Sequence, residues 1–154
     1  MEVFLTVISG TIVFSLSQWL LKFIFEPAHE LKKSIGEVEY CLIYYANCYS
    51  NPKGIRGEYL LKSSDEFRQR ASRLLATANG LEKLRYRFLS LIRYRPSSFS
   101  DVREAASLLI GISNNLGGSI GPQVSRDQEA NRQLRKEIRE DVERIRSLLG
   151  IAPR

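Results

Sequence analysis

Residues 3 to 21 read VFLTVISGTIVFSLSQWLL and contain no Asp, Glu, Lys or Arg. Coiled into a helix, these nineteen residues rise about 28 Å, close to the hydrocarbon thickness of a bilayer. A soluble core helix of this length would normally show a polar face. Only Met1 and Glu2 precede the run, where a cleaved secretory leader would carry basic residues. Bulky Trp19, Leu20, Leu21, Phe23 and Phe25 fill the place where small residues would mark a cleavage site. The stretch reads as an uncleaved transmembrane helix, with residues 1–26 as the anchor and 27–154 as a separate helical domain.

The flanks orient this span. No Lys or Arg comes before it, whereas Lys22, Lys32 and Lys33 follow closely, so the positive-inside rule puts the C-terminal body in the cytoplasm and the N-terminus outside. Trp19 lies where an aromatic interface belt would be, and Lys22 is placed to snorkel toward headgroups. Cys41 and Cys48 are about 10 Å apart along one helix, too far for a disulfide within the chain, which agrees with a reducing compartment.

Beyond Pro27 the apolar positions are Ala28, Leu31, Ile35, Val38, Leu42, Tyr45 and Tyr49, spaced alternately by 3 and 4. That is a heptad seam, expected to run as one helix to Asn51-Pro52 and to contact another helix or a second copy. Pro27 either starts that helix or kinks a continuous one. Ser63 with Glu66 makes a capping box for a third helix with Phe67, Ala71, Leu74, Leu75 and Ala78 inside, closed or bent at Asn79-Gly80. A fourth, over residues 81–94, stops before Pro96. Ser100 caps a fifth with Val102, Ala105, Ala106, Leu109 and Ile112 or Ser113 inside, terminated at Asn115 and Gly117-Gly118. Ser125 and Gln128 open the last, whose stripe is Ala130, Leu134, Ile138, Val142, Ile145 and Leu149, with Gly150 past its end. No segment alternates with period two for long enough to be a strand. The expected class is all-α: one N-terminal transmembrane helix followed by a cytoplasmic bundle of about five helices.

The net charge of +6 is unevenly distributed. Residues 1–52 carry −2, residues 53–95 carry +7 and residues 96–154 carry +1. Within the basic part, residues 84–96 read LRYRFLSLIRYRP, and arginine beside tyrosine invites a nucleic-acid reading. At about 100° per residue, however, Arg85, Arg87, Arg93 and Arg95 scatter around the helix instead of forming one basic stripe. With Lys62, Arg68, Arg70 and Arg73 before them, they are expected to face anionic lipid, the nearer anion for a tethered body, and no nucleic-acid partner is expected.

Catalytic chemistry finds no foothold. His29 is about 18 to 28 Å along the same helix from Cys41 and Cys48, which excludes a Cys-His pair and a tetrahedral metal set from these three. The loop NLGGSIGPQVS at 115–125 lacks a phosphate-loop Lys and follows a helix. No enzyme activity, metal or cofactor is therefore expected. Tyr40 and Tyr44 lie on a different face from Tyr45 and Tyr49, so this helix has two apolar faces. In the span, Thr11, Ser15, Gln18 and Lys22 project from one side, either toward another helix or bonding back to their own.

FEPAHELKKSIGEVEYCLIYYANCYSNP at 25–52, with AASLLIGISNNL at 105–116, resembles a group of short, uncharacterised bacterial proteins. The resemblance implies an N-terminal membrane helix and a helical cytoplasmic body, hence the bacterial inner membrane, and carries over no catalytic residue. The function expected is a membrane-anchored, non-enzymatic interaction or regulatory protein that binds lipid and either a protein partner or itself. The alternative is an oligomeric membrane effector that alters permeability through the Thr11, Ser15, Gln18 side of its span.

Overall fold

The structure, a computed structural model, describes residues 2–51, 55–88, 99–118 and 128–151. Helix α1 (Glu2–Leu20) passes through a five-residue π-helical turn (Leu21–Phe25) directly into α2 (Glu26–Tyr44). A short α3 (Ala46–Ser50), then α4 (Gly57–Phe88), α5 (Phe99–Gly118) and α6 (Gln128–Leu149) complete an all-α fold. The region from Val3 to Tyr44 is, among the described residues, the one helix long and apolar enough to cross a membrane, and none of its most apolar window is buried. Val3, Phe14 and Phe25 are 79%, 64% and 64% exposed. No other part of the described chain covers this helix, unlike the core helix of a soluble protein.

Burial begins one turn after Pro27. Leu31, Val38 and Leu42 are buried and Ile35 is partly so, as the 3-4 spacing predicts. The seam does not stay on one helix. At Tyr45 the backbone leaves helical geometry (φ −96°, ψ 18°), and a separate short helix, α3, follows. Tyr45 and Tyr49 nevertheless remain in the core, and the Tyr49 hydroxyl donates to the Leu42 carbonyl at 2.8 Å across the break. Phe67 receives both rings, at centroid distances of 5.9 and 6.5 Å.

Two boundaries expected along α4 are absent. The Ser63-Glu66 pair does not open a helix: α4 has already begun at Gly57, and the buried Ser63 hydroxyl donates back to the Leu60 carbonyl at 2.8 Å. Nor does Asn79-Gly80 end or divide one. Gly80 has no positive φ, and α4 continues to Phe88, because Leu74, Ala78 and Leu81 form one unbroken buried stripe whose packing outweighs the weak helix preference of Asn and Gly. The expected third and fourth helices are thus one, and α3 keeps the number after the apolar helix at five. Residues 89–98, with the expected stop before Pro96, and the Ser125 cap lie outside the described residues.

Helix α4 is the spine. Along α2, Ser34 meets Thr77 and Glu37 meets Arg73 and Arg70, while Tyr45 meets Phe67 and Tyr59; the numbers run in opposite senses, so the two helices are antiparallel. Helix α5 is antiparallel to α4 as well, pairing Ser113 with Ser64 and Arg103 with Glu82. Small residues bring those two together: Ala71 and Ala78 face a side carrying Ala105, Ala106 and Ser113, all buried. The Ser64 and Ser113 hydroxyls each donate to the other residue's carbonyl at 2.8 Å, which satisfies both inside the contact. Helix α5 already includes Phe99, so Ser100 lies in its first turn and is not its cap, and the helix passes Asn115 to end at Gly117-Gly118. Helix α6 buries Ile138, Val142, Ile145 and Leu149 and ends as its sequence indicates. Gly150 takes φ +67°, and the amides of Ile151 and Gly150 return to the carbonyls of Arg146 and Ser147, the paired bonds of a glycine-terminated helix.

Candidate functional site

The antiparallel register assembles one end of the bundle. Glu26 is eight residues before Ser34, and Arg85 is eight after Thr77; at an equal rise per residue, the backbone of Arg85 comes level with the start of α2. Arg87 lies half a turn beyond, at the height of the π turn. Arg103, bonded to Glu82 and Asn79, brings the first turns of α5 to the same end. The end of the bundle from which the apolar helix departs is therefore built from the start of α2, the last turns of α4 and the start of α5.

Lys22, Lys32 and Lys33 are all exposed there, and none makes an ion pair among the described residues. Trp19, less exposed than its neighbours, rests its ring on Phe23 at 5.4 Å, one turn further along. The side chains of Arg85 and Arg87, and Arg93 and Arg95 altogether, lie outside what the structure describes.

The earlier arginines of the basic segment have partners on neighbouring helices. Glu37 accepts from Arg73 at 2.8 Å and from Arg70 at 2.9 Å, and Arg70 also reaches Glu66 at 3.0 Å. Partial burial pushes the Glu37 carboxyl up, but the two guanidinium groups outweigh it and hold it below the usual carboxylate range. Arg70 is desolvated, yet Glu66 and Glu37 raise its pKa further. Arg68 donates to Asn114 at 2.9 Å. These groups tie α4 to α2 and α5, while Arg68 and Arg73 remain exposed.

Leu31, Ile35, Val38, Leu42, Tyr45 and Tyr49 are spent on the chain's own bundle. Tyr40 and Tyr44, 62% and 54% exposed, stack on one another at 5.6 Å on the outer face of α2. The two thiols are buried and unpaired with each other. Burial pushes Cys41 up to about 12 against the opposing pull of Arg70, and it raises Cys48 although a bond with Ser63 works the other way. Neither is a thiolate nucleophile near neutral pH. Among the described residues no three His, Cys, Asp or Glu side chains are grouped to hold a metal.

Three hydroxyls of α1 bond back to their own helix: Ser9 to the Thr6 carbonyl, Thr11 to Val7 and Ser17 to Val13, at 2.8 to 2.9 Å. One feature escapes a reading of the sequence, the π turn before Pro27; its signal was the amide that proline lacks. No protein-family model, curated protein or solved structure matches the chain.

Proposed function

We propose that this is a membrane-anchored, non-enzymatic interaction or regulatory protein, with α1 across a bilayer and the bundle standing on its cytoplasmic side. The observation that carries the reading is a division of one continuous helix. Its first half exposes nearly every apolar side chain, while its second half buries Leu31, Val38, Cys41 and Leu42 in a bundle. Each large apolar side chain withdrawn from water into hydrocarbon contributes about 1.5–3 kcal/mol, so α1 has a strong drive into lipid and no alternative cover within the described chain.

Orientation rests on Lys22, Lys32 and Lys33 after the span. The resemblance of residues 25–52 and 105–116 points to the bacterial inner membrane. The end of the bundle next to the span carries those lysines together with Arg85 and Arg87, and each basic group near an anionic leaflet contributes about 1 kcal/mol. That end orients the body on lipid and leaves the opposite end, where Tyr40 and Tyr44 are exposed near the close of α2, for a protein partner or a second copy. On the polar side of the span the Thr11 hydroxyl bonds back to Val7 and needs no neighbouring helix, which supports an anchor at that position.

The test is fractionation of cells expressing the full chain, with a cytoplasm-dependent reporter joined after Arg154. The protein should stay with membranes through an alkaline wash, and the reporter should be active. Release by the wash removes the anchor, and activity only from a periplasmic reporter reverses the orientation.

A further inference from the structure

The junction between span and bundle has a distinctive backbone. In the π turn Leu21–Phe25 the amide of Glu26 donates to the Leu21 carbonyl, five residues back, and not to Lys22, four back. The next residue is Pro27, which has no amide to give. The Lys22 carbonyl is thus left with neither of its two possible helical donors. The wider π turn also relieves the clash that a proline ring makes with the carbonyl four residues earlier. A helix missing part of its bond ladder bends most easily where the bonds are missing.

Three side chains of the turn are open to the surroundings. Leu21, Phe23 and Phe25 are 55%, 41% and 64% exposed, and the first buried side chain is Leu31. Among the described residues, span and bundle are joined at this point by the helix backbone.

Resting on the membrane reading above, we propose that residues 21–27 form a pivot at the bilayer surface, about which the rigid bundle changes its tilt relative to α1. The unmet Lys22 carbonyl fixes the depth of the pivot, because hydrocarbon offers it no donor and the hydrated headgroup layer does. The Lys22 side chain snorkels to the same layer. A pivot there lets the basic end of the bundle swing against or away from lipid without moving the span.

Distances between paired spin labels test this in the full chain reconstituted into lipid nanodiscs containing anionic lipid. One pair, Ile12→Cys and Lys33→Cys, crosses the junction; a second, Glu58→Cys and Asn79→Cys, has the same sequence separation within α4. Cys41 and Cys48 are buried and stay unlabelled. The pair across the junction should give a distance distribution at least twice as broad as the α4 pair, and Pro27→Ala should narrow it toward the α4 width. Equal widths in the unsubstituted chain, or a broad distribution that Pro27→Ala leaves unchanged, would overturn the pivot while leaving the anchor standing. Failure of the protein to enter nanodiscs would reject the anchor and the pivot together.

Discussion

Glu37 makes two interhelical ion pairs at once, and its side chain is only 23% exposed. Because Arg73 and Arg70 hold its carboxyl below the usual range, the folded state favours its ionised form over the unfolded chain. The sign follows: this stability is complete above the ordinary carboxylate pKa and disappears as pH falls through the lowered value. Glu37→Gln removes the charge and leaves Arg70 half-buried beside Glu66 alone. We expect a loss of about 1–2 kcal/mol at neutral pH, measured by urea unfolding in detergent, with the gap from the unsubstituted protein closing in acid. A gap that persists below pH 3 would show that the side chain acts by shape and not by charge. Asp141 has the opposite sign, since burial and the neighbouring Glu137 and Glu140 raise its pKa, and acid relieves the strain it puts on α6.

At the scale of elements, α4 gives the sharpest contrast between sequence and structure. Gly80 lies within it with open space where a Cβ would stand and without a positive φ. Gly80→Ala should therefore stabilise the protein by about 0.5–1 kcal/mol, seen as a higher thermal midpoint by circular dichroism. Destabilisation would mean that Asn79-Gly80 is the break its composition suggests. The elements that local pattern reported correctly are those whose signal and packing agree: the uncharged span, the stripes of α5 and α6, and Gly150 as a left-handed stop. The pattern misled where a local signal was overruled. Ser63 and Glu66 have the spacing of a cap, but the buried stripe extends upstream to Leu60 and draws Ser63 into a helix interior. Tyr45 shows the reverse, since the heptad spacing passes through it unbroken while the backbone does not. Tertiary packing around Phe67 decides that turn, and no spacing rule contains it. The arginines divide similarly: which of them are tied down depends on the antiparallel register of α2 and α4, and charge counting along the chain cannot supply it.

The molecule as a whole is a helical body carried on an exposed apolar helix. Hydrogen bonds and ion pairs join α2, α4, α5 and α6 to one another, while the Ser9, Thr11 and Ser17 hydroxyls bond within α1. Everything proposed for it depends on α1 lying in a bilayer with the junction at the surface. Trp19 is the single tryptophan of the sequence, one turn before the junction, and so reports that depth without a label. The decisive measurement is its fluorescence in liposomes whose lipids carry bromine either just below the headgroup or near the chain end. Trp19 should be quenched by both and more strongly by the shallow bromines, with emission shifted to the blue relative to the unfolded chain. Emission that no brominated lipid quenches would place Trp19 outside the bilayer and contradict the anchor.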